Sequence, residues 1–201
     1  MGTKGEMTRQ KIIDDATGIF QRKGFGTTSV NDLLSISGVT KGSLYFHFPG
    51  KEALGIAVLK KEAETFMMFL DDVLIGETPA ACLDNFFNAA LRKHQGTGFV
   101  GGCLFGNTAL EASDSSPVYA RVVAEVFNEW TEKLRKIIAQ AQALELMRQD
   151  MPAEQLAQTV IATIEGAIMQ SRLHKSAEPM TRALKTLRIF LELKIDRSDN
   201  P

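Results

Sequence analysis

Helix-period patterning over nearly the whole chain predicts an all-α protein: an N-terminal three-helix helix-turn-helix domain over residues 1–50 and a larger helical domain over residues 51–201. Three observations carry that prediction. Apolar residues recur at spacings of three and four, and no stretch alternates apolar with polar as a half-buried strand would. Helix caps and breakers separate the periodic stretches, among them Gly24, Gly38 and the pairs Thr78-Pro79 and Ser116-Pro117. The composition, 44% hydrophobic and 23% charged, is that of a folded globular chain rather than a disordered or membrane-spanning one.

The first helix is expected from Thr8 to Lys23, where Ile12, Ala16, Ile19 and Phe20 share one face. Thr8 caps its start, and Arg22, Lys23 and Gly24 supply the cations and the left-handed stop of its end. Ser29 opens a short second helix with Asp32 completing a capping box, and Val30, Leu33, Leu34 and Ser37 form its inward stripe. Gly38 permits an abrupt change of direction, and Thr40 caps a third helix almost at once. That is the short glycine-containing turn of a helix-turn-helix. Further helices are expected over 51–74, 79–93, 102–112, 117–146, 153–174 and 179–194, with Pro79 and Pro117 as first helical residues.

Charge and cysteine usage narrow the classes. Residues 1–60 hold eight Lys or Arg against five Asp or Glu, and the remainder 15 against 19, so the N-terminal part is the basic part of a chain with net charge -1. Cys82 and Cys103 are far apart and lack metal-ligand spacing, which predicts neither a disulfide framework nor a zinc site, and no cofactor is implied. Cys103 follows two glycines at a predicted helix start, a setting that suits either a reactive thiolate or a small buried hydrophobe. No leader peptide is apparent, and Glu165 interrupts the apolar run Val160 to Met169, so a cytoplasmic protein without membrane insertion is expected.

The function-bearing segment is Val39-Thr40-Lys41-Gly42-Ser43-Leu44-Tyr45-Phe46-His47-Phe48. Val39, Leu44 and Phe48 face the first two helices, leaving Lys41 with Tyr45 and Ser43 with His47 as outward pairs. Small Gly42 and Ser43 let the helix start approach base edges, while its amide dipole, Lys41, Tyr45 and His47 hold phosphates. Those are the demands on a recognition helix in the major groove.

This run, with Gly24-Phe25, Thr28-Ser29-Val30 and Lys51-Glu52-Ala53-Leu54 at their spacings, resembles the DNA-binding domain of the TetR (tetracycline-repressor) family. The resemblance covers about a quarter of the chain. It implies a homodimeric regulator, most often a repressor, bound to a pseudo-palindromic double-stranded DNA operator and released by a small-molecule effector. Thr28, Ser29, Tyr45, His47 and Lys51 would contact phosphates; Lys41, Gly42 and Ser43 would meet bases, the cap Thr40 would belong to the same DNA-binding set, and Asn31 would reach a base or a phosphate. Leu34 and Ser37 stand where the family more often has alanine, and Gly50 where Ser or Asn commonly caps the fourth helix.

Competing functions are a helical binding module without DNA recognition and a small helical enzyme. No HExxH, GxSxG or paired-carboxylate motif supports the latter. The GxGxxG string at 96–101 follows a helix rather than a strand, which makes it an inter-helix loop and not a dinucleotide turn. The surplus of aromatic residues in the second domain, with the family habit of binding apolar effectors between helices, nominates a pocket of Phe66, Phe86, His94, Phe105, Asn107, Phe127, Trp130, Met169 and Gln170. The broad apolar faces of the last two helices nominate Ile161, Ile168, Leu184, Leu187 and Leu191 for a four-helix dimer interface.

Overall fold

The structure, a computed structural model, describes residues 2–195. Among the described residues it has nine helices and no strand: α1 (Lys4–Lys23), α2 (Val30–Ser37), α3 (Lys41–His47), α4 (Lys51–Val73), α5 (Pro79–Gly96), α6 (Leu104–Ala112), α7 (Pro117–Ala143), α8 (Ala153–His174) and α9 (Glu178–Phe190). The predicted series holds in number and order. Its largest errors lie at ends where no proline marks the limit.

Helix α1 starts at Lys4 rather than at Thr8. Thr3 accepts the amide of Glu6 while the Glu6 carboxylate takes the Thr3 amide, a complete capping box ahead of the expected cap. Thr8 instead lies inside the helix with its hydroxyl on the Lys4 carbonyl. Helix α9 stops at Phe190, four residues short, because the backbone turns over at Glu192 and the chain pairs with the segment before α8: Arg148 donates its amide to Leu191 at 3.0 Å, and Lys194 donates to Leu146 at 2.9 Å.

The chain folds as two compact units that interleave in sequence. The first runs to Thr65 and takes in Cys103–Val126; the second holds Phe66–Gly102 and the chain from Phe127 onward. Division by compactness therefore does not follow the expected change of role near residue 50.

In the first unit α1 packs on α2 and on α6, burying Ile12, Ile13, Ala16, Ile19, Phe20, Leu33, Leu44 and Phe48. The ammonium of Lys11 donates to the Ser37 carbonyl at 2.7 Å and to Asp15, closing the C-terminus of α2 against α1. Gly38 takes the left-handed conformation (φ 65°) that the turn into α3 requires. Buried Ser37 satisfies its hydroxyl on Leu33 at 2.6 Å, so the departure from alanine leaves no orphan polar group.

In the second unit α8 and α9 form an antiparallel hairpin, and α5 packs on α9. Arg188 of α9 pairs with Asp84 and Asn88 of α5 and lies over the Phe87 ring at 5.5 Å. The α8 and α9 side chains expected at a dimer interface are used here instead. Ile161, Ile168, Leu184, Leu187 and Leu191 are all buried inside the single chain. The surface left over has another set: Met169 and Leu173 on α8 (57% and 74% exposed) and Ile189 on α9. With Ala162 and Gly166, the first two complete a stripe at helical spacing along α8.

Candidate nucleic-acid interface

The recognition segment is shaped by its caps. Thr40 accepts the Ser43 amide at 3.2 Å and starts α3; Phe48, extended and buried, ends it with its amide on the Leu44 carbonyl. Arg9 of α1 covers the other side of the Phe48 ring at 5.0 Å, a cation–π contact that fixes α3 against α1. Thr40, Lys41, Gly42 and Tyr45 are exposed, and Ser43 and His47 are partly so. A Cβ at Gly42 would meet nothing closer than the Thr40 hydroxyl at 4.0 Å. The protein's own packing therefore makes no demand for glycine there.

Reading from sequence alone missed one residue of this face. Phe46 is 83% exposed, with its ring edge against His47 at 5.0 Å. An aromatic ring so exposed on α3 offers an apolar surface for a thymine methyl or a sugar. Its signal was present in the motif, since Leu44 and Phe48 at i and i+4 already take the inward face.

At the start of α2, Ser29 and Asn31 are exposed. Ser29 and Asp32 form the expected capping box, and Lys23 pairs with Asp32 at 2.8 Å. The Lys23 ammonium, followed by the amide and hydroxyl of Ser29, holds the Asp32 carboxyl far below the usual carboxylate range. Thr28 must be corrected: its side chain is buried and its hydroxyl donates to the Gly24 carbonyl at 2.6 Å, so it links α1 to α2 and presents nothing to a phosphate. Lys51 has a structural task beside the expected one. Its ammonium donates to the carbonyls of Gly26 (3.1 Å) and Thr28 (2.9 Å), stitching the start of α4 to the α1–α2 turn.

That turn is also gripped from far along the chain. Glu111 of α6 accepts the amides of Phe25 (3.0 Å) and Gly26. Phe25 stacks on Phe20 at 4.4 Å and lies against Tyr119 of α7 at 4.9 Å. The Tyr119 hydroxyl donates to the Glu52 carbonyl at 3.4 Å. Burial, then the charges of Glu52 and Glu111, pushes that phenol up to about 12, so it stays a donor. A side chain at Gly24 would collide with the Glu111 carboxylate, and one at Gly55 with the Tyr119 hydroxyl, which accounts for both glycines.

The nominated effector residues divide. Phe66, Phe86, Phe127 and Trp130 converge in the second unit, with Phe66 edge-on to Trp130 at 5.1 Å and Phe127 stacked on it at 6.0 Å. Phe105 and Asn107 belong to the first unit, where Phe105 is core and Asn107 donates to the Gln21 carbonyl at 3.4 Å. Met169 and Gln170 lie on the exposed side of α8; Gln170 lines a polar cleft of about 540 Å³ with His174, Glu178 and Arg182. The loop 97–103 has left-handed residues at Gly98, Phe99, Gly101 and Gly102 and follows helix α5, which is the expected inter-helix loop. Cys103 caps α6, its sulfur accepting the Gly106 amide at 3.4 Å. Among the described residues no cluster of three or more His, Cys, Asp or Glu could hold a metal, and no helix is long and apolar enough to cross a membrane.

His94 carries a testable electrostatic signature. Burial, with the Lys93 charge second, pulls its imidazole down to about 4 from an ordinary 6.5. The unfolded chain takes up a proton between those values that the folded chain refuses. The stability His94 contributes is therefore complete above pH 6.5 and lost as pH falls toward 4. Urea midpoints are expected to drop from pH 7 to pH 5, and His94→Gln should flatten that slope; an unchanged slope would mean that the imidazole titrates normally.

Residues 12–58 match the profile of "Bacterial regulatory proteins, tetR family", and residues 79–187 that of "Tetracyclin repressor-like, C-terminal domain". The HTH-type transcriptional repressor DhaR of Mycobacterium sp. (strain GP1) is 31% identical over 180 residues, 88% of each chain. The repressor NemR of Escherichia coli is 28% identical over 193 residues, covering 88% of this chain and 90% of its own. A TetR transcriptional regulator from Chloroflexus aurantiacus has a similar structure, with a TM-score of 0.85 and 29% identity over 94% of this chain and 96% of that one.

Proposed function

The chain belongs to the tetR family of bacterial regulatory proteins, and from that premise we propose that it is a homodimeric repressor released from its operator by a small molecule. It is a helix-turn-helix transcriptional regulator and not an enzyme. Residues 1–50 read DNA, residues 51–201 take the effector and form the dimer, and the protein acts in the cytoplasm, where the operator is.

The observation that carries this reading is the face of α3, where Lys41, Gly42, Tyr45 and Phe46 stand together exposed while Leu44 and Phe48 anchor the helix. Lys41, Gly42, Ser43 and Phe46 meet base edges; Ser29, Tyr45, His47 and the remaining donor capacity of Lys51 meet phosphates, with Asn31 reaching either. Dimerisation uses the stripe Ala162, Gly166, Met169 and Leu173 with Ile189, an apolar surface that a two-fold axis would pair with its own copy. Two recognition helices then face half-sites about 34 to 36 Å apart or a multiple of it, and an effector that changes their separation or tilt lowers affinity. The aromatic cluster around Trp130 is the effector site.

Selection from random duplexes tests the proposal. Enrichment of a pseudo-palindrome is expected, and the absence of any enriched sequence would sink it. On the selected operator, Phe46→Ala should weaken binding by about tenfold with little change in thermal stability, since one apolar base contact is worth about 1 kcal/mol or more and the ring packs on little of its own protein. Native affinity in that variant would remove Phe46 from the interface.

A further inference from the structure

The indole N–H of Trp130 is buried without an acceptor among the described residues. The residue is 3% exposed and is the chain's single tryptophan. Its surroundings are aromatic. Phe66 meets it edge-on at 5.1 Å and 86°, Phe86 edge-on at 6.2 Å and 80°, and Phe127 lies nearly parallel at 6.0 Å and 23°. Phe69 extends the array by stacking on Phe66 at 6.3 Å, and the exposed Lys93 places its ammonium over the Phe69 ring at 4.4 Å.

Two features of this array point outward. A buried N–H with no acceptor forfeits the hydrogen bond it had in water, a cost that phenylalanine at the same place would avoid. Phe86 is fully buried, but Phe66, Phe69 and Phe127 remain partly exposed, so part of the array's π surface is accessible. The donor is single and uncharged, and the rings around it offer no further donor. At the indole such a site compensates one neutral acceptor, and an ionised carboxylate or phosphate would stay largely unsolvated there; the exposed Lys93 ammonium lies over the Phe69 and Phe66 rings, 4.4 and 5.9 Å from their centroids.

We propose that the effector is a flat, neutral, largely aromatic molecule with one carbonyl-type oxygen at its edge, and that this oxygen accepts the Trp130 Nε1 proton while the body of the molecule packs against Phe66, Phe69 and Phe127. The assignment rests on the reading of this cluster as the effector site and narrows it to a ligand class. Trp130 is a binding residue and the source of oxygen specificity; the phenylalanines select for planarity.

The single indole provides the test, because a ¹⁵N-labelled full-length dimer gives one Nε1–H signal. The probes are 2-acetylnaphthalene and 2-isopropenylnaphthalene, which share shape and apolar area and differ in having C=O or C=CH2. The ketone is expected to bind about five- to tenfold more tightly than the alkene, the margin of one neutral hydrogen bond. It should also move the indole proton downfield, a shift the alkene does not produce. In Trp130→Phe the preference for the ketone should shrink to within about twofold. If both probes bind alike and neither gives the downfield shift, the effector site stands and the oxygen inference falls. If neither probe perturbs the indole signal at all, the cluster is not a site for flat aromatic ligands and the ligand class is wrong, whether or not the protein binds its operator.

Discussion

Leu173→Glu is expected to leave each protomer folded, to dissolve the dimer and to lower operator affinity by about a hundredfold or more. The side chain is 74% exposed in the single chain, so a carboxylate there is solvated and costs the fold little. Across a two-fold interface the same substitution occurs twice and places two like charges on a desolvated apolar stripe with nothing to pair them. Without the dimer, the second half-site is no longer bound at high effective concentration, and a gain of that order disappears. Leu187→Glu serves as the contrast. Leu187 is buried in the protomer's own core, so the charge should cost helicity and cooperative unfolding rather than association alone. Sedimentation at micromolar concentration, circular dichroism and operator titration separate the cases. A Leu173→Glu protein that still sediments as a dimer and binds its operator at native affinity would place the interface elsewhere.

Gly42→Ala should move stability and function in opposite directions. Gly42 is the second residue of α3, and a Cβ there meets nothing closer than 4.0 Å, so alanine should stabilise the helix by roughly 0.5 to 1 kcal/mol through lost backbone entropy in the unfolded chain. On DNA the same methyl would occupy the space into which base edges come, and affinity should fall by about tenfold or more. A more stable protein that binds less tightly is the signature of a glycine kept for a partner. Gly42→Ala with native operator affinity would show that the helix start stands away from the bases.

Much of this architecture was legible because its determinants are local. Ser29 with Asp32, Gly38 and Thr40 fix the helix-turn-helix within a dozen residues, and Pro79 and Pro117 set the starts of α5 and α7 where they were expected. The start of α1 was misread because Thr3 and Thr8 are both plausible caps and only Thr3 has Glu three residues on. The residues nominated for a dimer interface prove to be buried in the single chain for a different reason. Leu184, Leu187 and Ile168 give the strongest apolar periodicity, and that signal reports the protomer's core; the leftover surface is the weaker stripe with Gly166 and Ala162. Phe66, Phe86, Phe127 and Trp130 were nominated together and do converge, but sequence could not separate them from Phe105 and Asn107, which belong to the first unit, because the grouping depends on which helices meet. Nothing in sequence spacing connects Glu111 with Phe25, since they are 86 residues apart and the carboxylate bonds to backbone amides, which any residue type supplies.

The Glu111 grip has a consequence for how the protein is made. A nascent chain that has released α1, α2 and α3 still lacks the carboxylate that receives the Phe25 and Gly26 amides, and it lacks the Tyr119 ring that covers Phe25. The reading head is thus complete only after α6 and the first turn of α7 have emerged, by which time α4 and α5 have been translated as well. Cutting the gene after residue 65 yields a polypeptide with every side chain proposed to face DNA and a loosened α1–α2 turn, and cutting after residue 50 removes Lys51 as well. A transplantable version of this reading head has to bring residues 103–126 along with it.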